Sequence, residues 1–595
     1  MIISAINQIL LHRKEKHKMT NKVKKRQRKP KSEFQKQLDV IRKFSPSHVL
    51  EVELHVWEFQ HWKMERIGEQ LRIIRNTVLG ELLKNYKQMV RTKAYKRTMK
   101  LYHFLSEQID KEKDARELKK LEQKKKELTD TLENLRNTHH VTFDFARKYG
   151  EQIRKTTFGL PDAVTVWSAC EMSWNSMETI LFKGAENPYF YKRNDLITFQ
   201  GKQAERCIIL KHNEKKNNFY IHFHDMQFPL MIKKDDVFIQ ETLSSIAYYM
   251  KHGEEIDKQN VERHPLGLPL LSTSRIRNNR IVRKNIREKV RYFVQIVLEG
   301  IPVAKRKKDG SFRHTYGVGR VAGDIGTQSL AVVSKDKVFL KNLAERSDHT
   351  FVYERKLYLL QRYLERSRRA MNPQYFDEKG RITKGKKVWD FSKRYLKSQK
   401  ELRDLHRKAA ESRKYAHNEE VNRLRSMGDE FIIEQMSIKA LQKKAKEVTV
   451  NEKTGTFNRR KRFGKSIGKR SPGYFIQQAK YRFIVTDGTV KEANTWTFKA
   501  SQYDHILDDT SKKQLSKRWH TLPNGIQLQR DLYSAFLLFC TEHDLQKPNK
   551  QICDSFFHEF LILHNQCIEE IKNKCKVVLN SGITCNKGKI VVTSA

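Results

Sequence analysis

Apolar and polar positions alternate from His48 to Glu58 (HVLEVELHVWE), and a period of two predicts a strand with one buried face. The spacing then turns helical as far as about Asn137. Within that stretch Leu118, Leu121, Leu128, Leu132 and Leu135 fall on a and d positions, with Lys125 in the place of a missing a; this predicts a short helical hairpin or coiled-coil seam. A further helix is expected from about Leu160 to Phe182, ending before Asn187-Pro188. From 189 to 240 the period returns to two. YFYKRNDLITF, AERCIILKH and NFYIHFHDM read as strands, with Phe219, Ile221 and Phe223 towards a core and Tyr220, His222 and His224 on the other face. The two histidines have no third ligand nearby and read as a surface or groove pair rather than a metal site. HPLGLPLLS (264–272) reads as a linker, and Tyr292 to Leu298 as another strand.

In the second half, Tyr316 to Ala322 and Ser329 to Val333 predict two strands around GDIGTQSLAVV (323–333). Strand residues Val338 to Leu340 follow, then long basic helices from about Thr350 to Ser426. DEFIIEQMSIKALQKK (429–444) is an apolar strand that ends on Glu434 and runs into a helix. VKEANTWTF (490–498) reads as a further strand, and QLQRDLYSAFLLF (527–539) starts a helix with Asp531 in its first turn.

Charge changes the picture. Across 595 residues, 119 Lys and Arg against 69 Asp and Glu give a net charge of +50, which opposes compaction unless a polyanion neutralises it. Nucleic acid is that polyanion, since phosphate neutralisation supplies most non-specific affinity. An anionic membrane surface is disfavoured because the basic residues run through the whole chain rather than along one amphipathic helix. Residues 13–43, with 14 Lys and Arg to 3 acids, read as a phosphate-binding tail. Seven scattered cysteines without a CxxC pair point to free thiols in a reducing cytosol. No apolar run reaches the length of a membrane span, and the opening MIISAINQILL lacks the marks of a signal peptide.

Against this basic background three carboxylates in apolar surroundings stand out: Asp324 at a hairpin, Glu434 at a strand end and Asp531 in a helix's first turn. Singly each is ordinary, and an Asp in a first turn often only complements the helix dipole. Together they fit the succession strand, strand, strand, helix, strand, helix, strand, helix of an RNase H-like sheet, which gathers distant carboxylates at one edge. Phosphodiester hydrolysis uses such a cluster to hold two Mg²⁺, roughly 3.5–4 Å apart, that activate water and stabilise the leaving oxygen. Hard Mg²⁺ prefers carboxylate and phosphate oxygen. Asp324, Glu434 and Asp531 are therefore the expected catalytic metal ligands, with Mn²⁺ as a substitute ion; Asp429 or Glu430 would replace Glu434 only if the strand register slipped. Residues 456–470 hold seven Lys and Arg and no acid, so Arg459, Arg460, Arg462, Lys465 and Arg470 are candidate phosphate contacts that position a strand without reading its sequence.

These residues carry a family resemblance. GDIGTQSLAVV resembles the first RuvC motif of the TnpB and type V CRISPR effector nucleases, a G-x-D-x-G strand tip followed by an apolar strand. FIIEQMSIKAL resembles their second motif and QRDLYSAFLL their third. HRKAAESRKYAHNEEVNRL (406–424) is similar to the basic helices these proteins lay against guide RNA. The resemblance covers residues 318–540; before that it rests on layout alone. It implies a multidomain α+β fold: a basic tail (1–45), a first wedge strand (46–58), a helical recognition domain (59–185) interrupting a wedge β-barrel (186–315), and an RNase H-like RuvC α/β domain (316–498). A small target-binding insert (499–528) and the third motif with C-terminal helices (529–595) complete it.

The implied activity is RNA-guided DNA cleavage in a single RuvC site after recognition of a short flanking motif. The implied partners are guide RNA and double-stranded target DNA opened to an R-loop, with a monomer in a prokaryotic cytosol and no membrane. One departure stands out. Residues 500–531 keep the A-S-Q start and R-W turn of a zinc ribbon but contain no cysteine. His505, His520, Asp504, Asp508 and Asp509 are not a tetrahedral soft-ligand set, so no structural zinc is expected and Tyr503 and Trp519 are expected to hold the loop. Two other readings compete. An unguided transposase or resolvase of the same fold needs no large RNA-binding half, and a non-cleaving guided binder predicts loss of a carboxylate, whereas all three are present.

Overall fold

The computed structural model describes residues 31–584 apart from 110, 113, 203, 217, 269, 272, 288, 304, 308, 346–348, 379, 386, 444–448, 451–462, 512–513, 515–516, 543 and 575–576. The first half runs α1 (Glu33–Phe44), β1 (Ser47–Leu54), α2 (Glu58–Arg91), α3 (Lys93–Ile109), α4 (Ala115–Thr138), α5 (Phe143–Thr157) and α6 (Ala163–Lys183). It continues through β2 (Thr198–Gln200), β3 (Ile208–Asn213), β4 (Asn218–Phe223), β5 (Met226–Met231), α7 (Val237–Arg263), β6 (Ile276–Ile286) and β7 (Lys289–Glu299). The second half runs β8 (Arg320–Ile325), β9 (Ser329–Ser334), β10 (Val338–Asn342), α8 (His349–Met371), α9 (Lys393–Met427), β11 (Glu430–Glu434), α10 (Ile438–Gln442), α11 (Gly464–Arg470), α12 (Pro472–Ile484) and β12 (Thr489–Ala493). After α13 (Thr495–Phe498) come the short strands β13 (Tyr503–Asp504), β14 (Asp509–Thr510), β15 (Trp519–Thr521) and β16 (Gln527–Gln529), then α14 (Arg530–Phe539) and α15 (Lys550–Asn573).

The N-terminal lobe is a seven-stranded antiparallel sheet in the order β2-β6-β7-β1-β5-β4-β3. Its first strand sits between β7 and β5, and the chain builds α2–α6 before returning to the sheet. The alternation read at 48–54 is the burial pattern of β1: Leu50, Val52 and Leu54 face a core shared with Met64, Ile67, Leu71 and Ile74 of α2 and with Phe219, Ile221 and Phe223 of β4. The sheet curls until its far edge meets β6, where Asn279 Nδ2 donates to Ile208 O at 3.0 Å. Among the described residues no ladder joins β2 to β3, so this side-chain contact stands where a closed barrel would have a strand pairing. In α4 the stripe of Leu118, Leu121, Leu128, Leu132 and Leu135 is half-buried or buried, with Lys125 Nζ over the Tyr102 ring of α3 at 5.1 Å.

Several expectations change. The tail includes an amphipathic helix, α1, whose Leu38 and Ile41 are buried and whose Arg42 pairs with Asp257 of α7 at 2.7 Å. Residues 189–197 form no strand. Instead the Tyr189 and Tyr191 carbonyls accept from Arg75 (2.7 Å) and Arg72 (2.9 Å) of α2, and the Tyr191 ring lies 4.0 Å from the buried Arg75 guanidinium. Helices α5 and α7 and strand β6 were not foreseen.

The second lobe is built on a five-stranded mixed sheet ordered β10-β9-β8-β11-β12, in which β8, β9 and β10 are antiparallel and β11 and β12 run parallel to β8. Both faces are covered, which suits its parallel strands. Val321, Ile325, Phe431 and Ile433 pack with α9 and α12 on one face. Ala322, Ala331, Ile432 and Ala493 pack with α14 and α15 on the other. The first strand starts later than expected, at Arg320. Residues 317–319 instead hold the end of α9, with Gly317 N–H donating to Arg425 O and Asp429 N–H to Gly319 O, both at 3.0 Å. Strand β12 ends at Ala493, and residues 495–498 coil into α13.

Candidate active site

Strand alternation places the first two carboxylates. In β8, Val321 and Ile325 point to the α9/α12 face, so Ala322 and Asp324 point to the other. In β11, Phe431 and Ile433 take the first face, and Ile432 and Glu434 the second. The parallel register pairs Gly323 with Ile433, which sets Asp324 and Glu434 level on neighbouring strands, about 5 Å apart in the backbone. Helix α14 packs on this same face through Leu532, Tyr533, Ala535 and Phe536, and Asp531 stands in its first turn. Three carboxylates from distant segments thus share one face of one sheet. Asp429 and Glu430 lie at the far end of β11, where Asp429 accepts from Gly319 N–H and Glu430 pairs with Arg320 and Lys491. No register slip brings them to the site.

The electrostatics follow from this crowding. Burial, then the negative charges of Asp531 and Glu434, push the Asp324 carboxyl well above the ordinary carboxylate range, opposed in part by Arg530 and Arg518. Burial also raises Glu434, against the pull of a 3.1 Å hydrogen bond that its Oε1 accepts from Ala500 N–H. Asp531 is buried and paired with Arg530 at 3.1 Å. Arg530 N–H donates to Arg518 O at 2.9 Å, so the two arginines stand side by side at the rim.

The start of α14 is held firmly. Gln529 caps it through Leu532 N–H (2.8 Å), and Gln529 N–H itself donates to His564 Nε2 of α15 at 3.0 Å. Sequence reading missed Ala500, Arg518, Gln529 and His564. Ala500 and Arg518 stand in the A-S-Q start and R-W turn, and Arg530 in the quoted R-D pair, so these three left a local signal without a role in the site being read from it.

Among the described residues no group of three or more His, Cys, Asp or Glu side chains is gathered tightly enough to cage an ion. The donor chemistry nevertheless fits Mg²⁺, which is usually held by one or two carboxylates and completed by water and substrate phosphate rather than by an all-protein cage. Mutual repulsion of Asp324, Glu434 and Asp531 is the feature a divalent cation removes.

The other site residues fall differently. Arg459, Arg460 and Arg462 lie outside the described residues, as does the side chain of Lys465, which falls in α11. Arg470 is not a surface contact. It is 4% exposed, donates to Leu343 O at 3.2 Å, and its carbonyl bonds His417 Nε2 at 2.8 Å. Its charge is spent inside the lobe, a correction to its expected phosphate role.

In the insert, His520 Nε2 meets Asp504 Oδ2 at 3.0 Å, His505 Nδ1 meets Tyr533 OH at 2.7 Å, and Tyr503 OH donates to Asp508 at 2.7 Å. Trp519 Nε1 donates to Gly582 O at 3.0 Å. In the N-terminal lobe His224 lies 3.4 Å from Asp162, which also accepts from Cys207 Sγ at 2.9 Å.

No protein-family model and no curated protein matches the chain. Among solved structures it is similar to the selenomethionine-derived Cas12i1 R-loop complex before target DNA cleavage, at 9% identity and a TM-score of 0.22, covering 84% of this chain and 62% of that one. It is similar to the Cas12i1 R-loop complex after target DNA cleavage at 9% identity and a TM-score of 0.22, covering 83% of this chain and 61% of that one. The chain therefore spans less than two thirds of the length of these structures, and a TM-score of 0.22 is too low to equate the folds. No helix among the described residues is long and apolar enough to cross a membrane.

Proposed function

We propose that the chain is an RNA-guided DNA endonuclease in which Asp324, Glu434 and Asp531 hold Mg²⁺ in a RuvC-type site on an RNase H-like sheet. The observation that carries this reading is the convergence of three carboxylates from distant segments on one face of a single sheet, in a chain of net charge +50. The strand order, with β8–β10 antiparallel and β11 and β12 parallel to β8, agrees with the RNase H-like succession. Divalent ions bound there would supply water activation and stabilise the leaving oxygen.

The chain's own part is placement. Strands β8 and β11 hold Asp324 and Glu434 one strand spacing apart, Ala500 N–H orients Glu434, and the Gln529 cap fixes the turn that carries Asp531. Arg518 and Arg530 offer positive charge to a phosphate at the rim. The guide is inferred from the basic N-terminal half and the RuvC-motif resemblance. Base pairing would then read the target, leaving the protein a short flanking motif.

The test is to express the chain with its native flanking DNA, sequence the RNA that co-purifies, and assay Mg²⁺-dependent cleavage of a matched duplex. A discrete RNA with a constant structured part and a variable end is expected, with cleavage abolished and binding kept in Asp324→Ala and Glu434→Ala. A random smear of cellular RNA redirects the reading to an unguided nuclease. Undiminished cleavage by either variant removes that residue from the site.

A further inference from the structure

A cavity of about 310 Å³ lies between α8, α9 and α11 of the second lobe, and none of the three carboxylates lines it. Helix spacing sets its walls. On α8, Tyr353 and Leu357 stand four residues apart, as do Glu354 and Tyr358; on α9, Ala409 and Arg413 do the same. Side chains ordinarily fill the space between packed helices to crystal-like density. Here the positions that could fill it are small: Ala409 and Ser412 on α9 and Gly468 on α11.

Gly468 is the most informative of these. It sits inside α11, where glycine is a poor helix former. A Cβ built on it meets nothing within 4 Å, so no neighbour excludes a larger side chain. The helix continues to Arg470, so no turn requires glycine there. Its effect at this position is to leave the cavity open.

The charges at the cavity are unequally matched. Glu354 is held by Lys469 at 2.6 Å. The half-buried Arg413 guanidinium has no hydrogen bond or ion pair among the described residues, whereas Arg407, on the same helix, pairs with both Asp404 (2.6 Å) and Glu411 (2.7 Å). Burial holds Arg413 below its ordinary pKa, opposed by the charge of Glu354. An anion beside it restores the charged form. Water is a poor occupant, because an ordered water needs two to four polar partners and Tyr353, Leu357 and Tyr358 give the cavity ring and methyl surface. The Tyr358 ring is steadied by Arg362, which donates to its hydroxyl at 3.3 Å.

We propose that this cavity binds a small planar organic anion, an aromatic carboxylate of one or two rings, with its carboxylate on Arg413 and its ring among Tyr353, Leu357 and Tyr358. The volume is at the small end of ligand pockets, roughly 300–1,000 Å³, which sets the number of rings. A planar guanidinium offers a carboxylate two parallel N–H donors. The site uses none of Asp324, Glu434 and Asp531, so it stands or falls separately from the nuclease reading.

The test measures binding of naphthalene-2-carboxylate to the full chain by calorimetry, with the neutral naphthalene-2-carboxamide for comparison. The carboxylate is expected to bind about 10-fold more tightly or better, the gain of a charged over a neutral hydrogen bond. Arg413→Gln is expected to bring the two ligands to similar affinity, and Gly468→Leu, which fills the cavity, to abolish binding of both. Arg403→Gln is the control of equal charge loss elsewhere on α9, where Arg403 donates to Gln399 at 3.3 Å, and is expected to bind as wild type does. Thermal midpoints without ligand show that each variant folds; saturating carboxylate is expected to raise the midpoint of wild type and Arg403→Gln and to leave Gly468→Leu unmoved. Absence of saturable binding, equal affinity of wild type for the two ligands, wild-type binding in Gly468→Leu, or displacement of the carboxylate by equimolar inorganic phosphate overturns the proposal.

Discussion

Replacing Asp324 by Asn tests the site through stability as well as activity. The wild-type carboxyl is raised by burial and by Asp531 and Glu434, so folding favours its protonated form. The sign follows from linkage. A carboxyl whose folded pKa is raised stabilises the protein below its unfolded pKa of about 3.9, and that stabilisation is lost as pH rises through the folded value. Above that value the ionised groups strain the lobe. Two carboxylates separated by about one strand spacing, roughly 5 Å, would repel by roughly 3 kcal/mol at an effective dielectric of about 20. Partial protonation and the charges of Arg518 and Arg530 reduce this, so the isosteric Asn is expected to recover about 1–3 kcal/mol in metal-free buffer near pH 8. For a lobe of this size that is a rise of about 2–9 °C in its unfolding midpoint.

Thermal scans in chelator at about pH 6 and about pH 8 read the first effect, which shrinks at the lower pH. Millimolar Mg²⁺ or Mn²⁺ is then expected to raise the wild-type midpoint and to leave Asp324→Asn nearly unmoved, while cleavage is lost in the variant. A variant less stable than wild type in chelator, with an undiminished metal response, would refute the reasoning. Asp324 would then be a satisfied structural carboxylate.

Other consequences of the fold are open to simpler assays. Arg320 bonds Glu430 at 2.7 Å and the Phe539 carbonyl at 3.0 Å, so Arg320→Leu is expected to destabilise the second lobe by about 2–4 kcal/mol. Because α14 carries Asp531, cleavage is expected to fall with the unfolding midpoint; an unchanged midpoint contradicts the role assigned to Arg320. A Cβ at Gly428 would lie 2.3 Å from Gly319 O and 2.8 Å from Val321 Cγ2, so Gly428→Ala is expected to cost about 1–3 kcal/mol, read from denaturant midpoints. Wild-type stability in that variant would show that β8 and the end of α9 separate freely. Burial pushes the Cys170 thiol up to about 12, so maleimide labelling at neutral pH is expected to spare it until the lobe unfolds; mass spectrometry of rapidly labelled native protein tests this.

What the sequence disclosed follows from how local each cause is. Strand β1 was legible because one face meets a core and the other does not, so Val49, Glu51 and Glu53 alternate with Leu50, Val52 and Leu54. Asp324 and Glu434 were legible because β8 and β11 are buried on both faces, and an acid near the end of an apolar run then stands out. Strand β6 (IRNNRIVRKNI) was invisible because its place is set by a long ladder with β7 rather than by apolar alternation. Residues 189–191 misled for the opposite reason: aromatic residues at strand spacing serve instead to clasp Arg75. Arg470 misled because a basic run says nothing of which member turns inward to a carbonyl such as Leu343 O. Arg518 and Ala500 reach the site only through tertiary packing.

The carboxylate cluster follows a physical logic. Acids face acids there, an arrangement that raises the energy of the ligand-free chain, and folded proteins tolerate such conflicts where a ligand resolves them. A ligand that binds only the folded state stabilises it by RT ln(1 + [L]/Kd), so on the proposed reading relief of this repulsion is expected to appear as stability gained when a divalent cation is added. A midpoint that gains nothing from the ion would mean that the carboxylates are satisfied by protonation and by Arg518 and Arg530 alone.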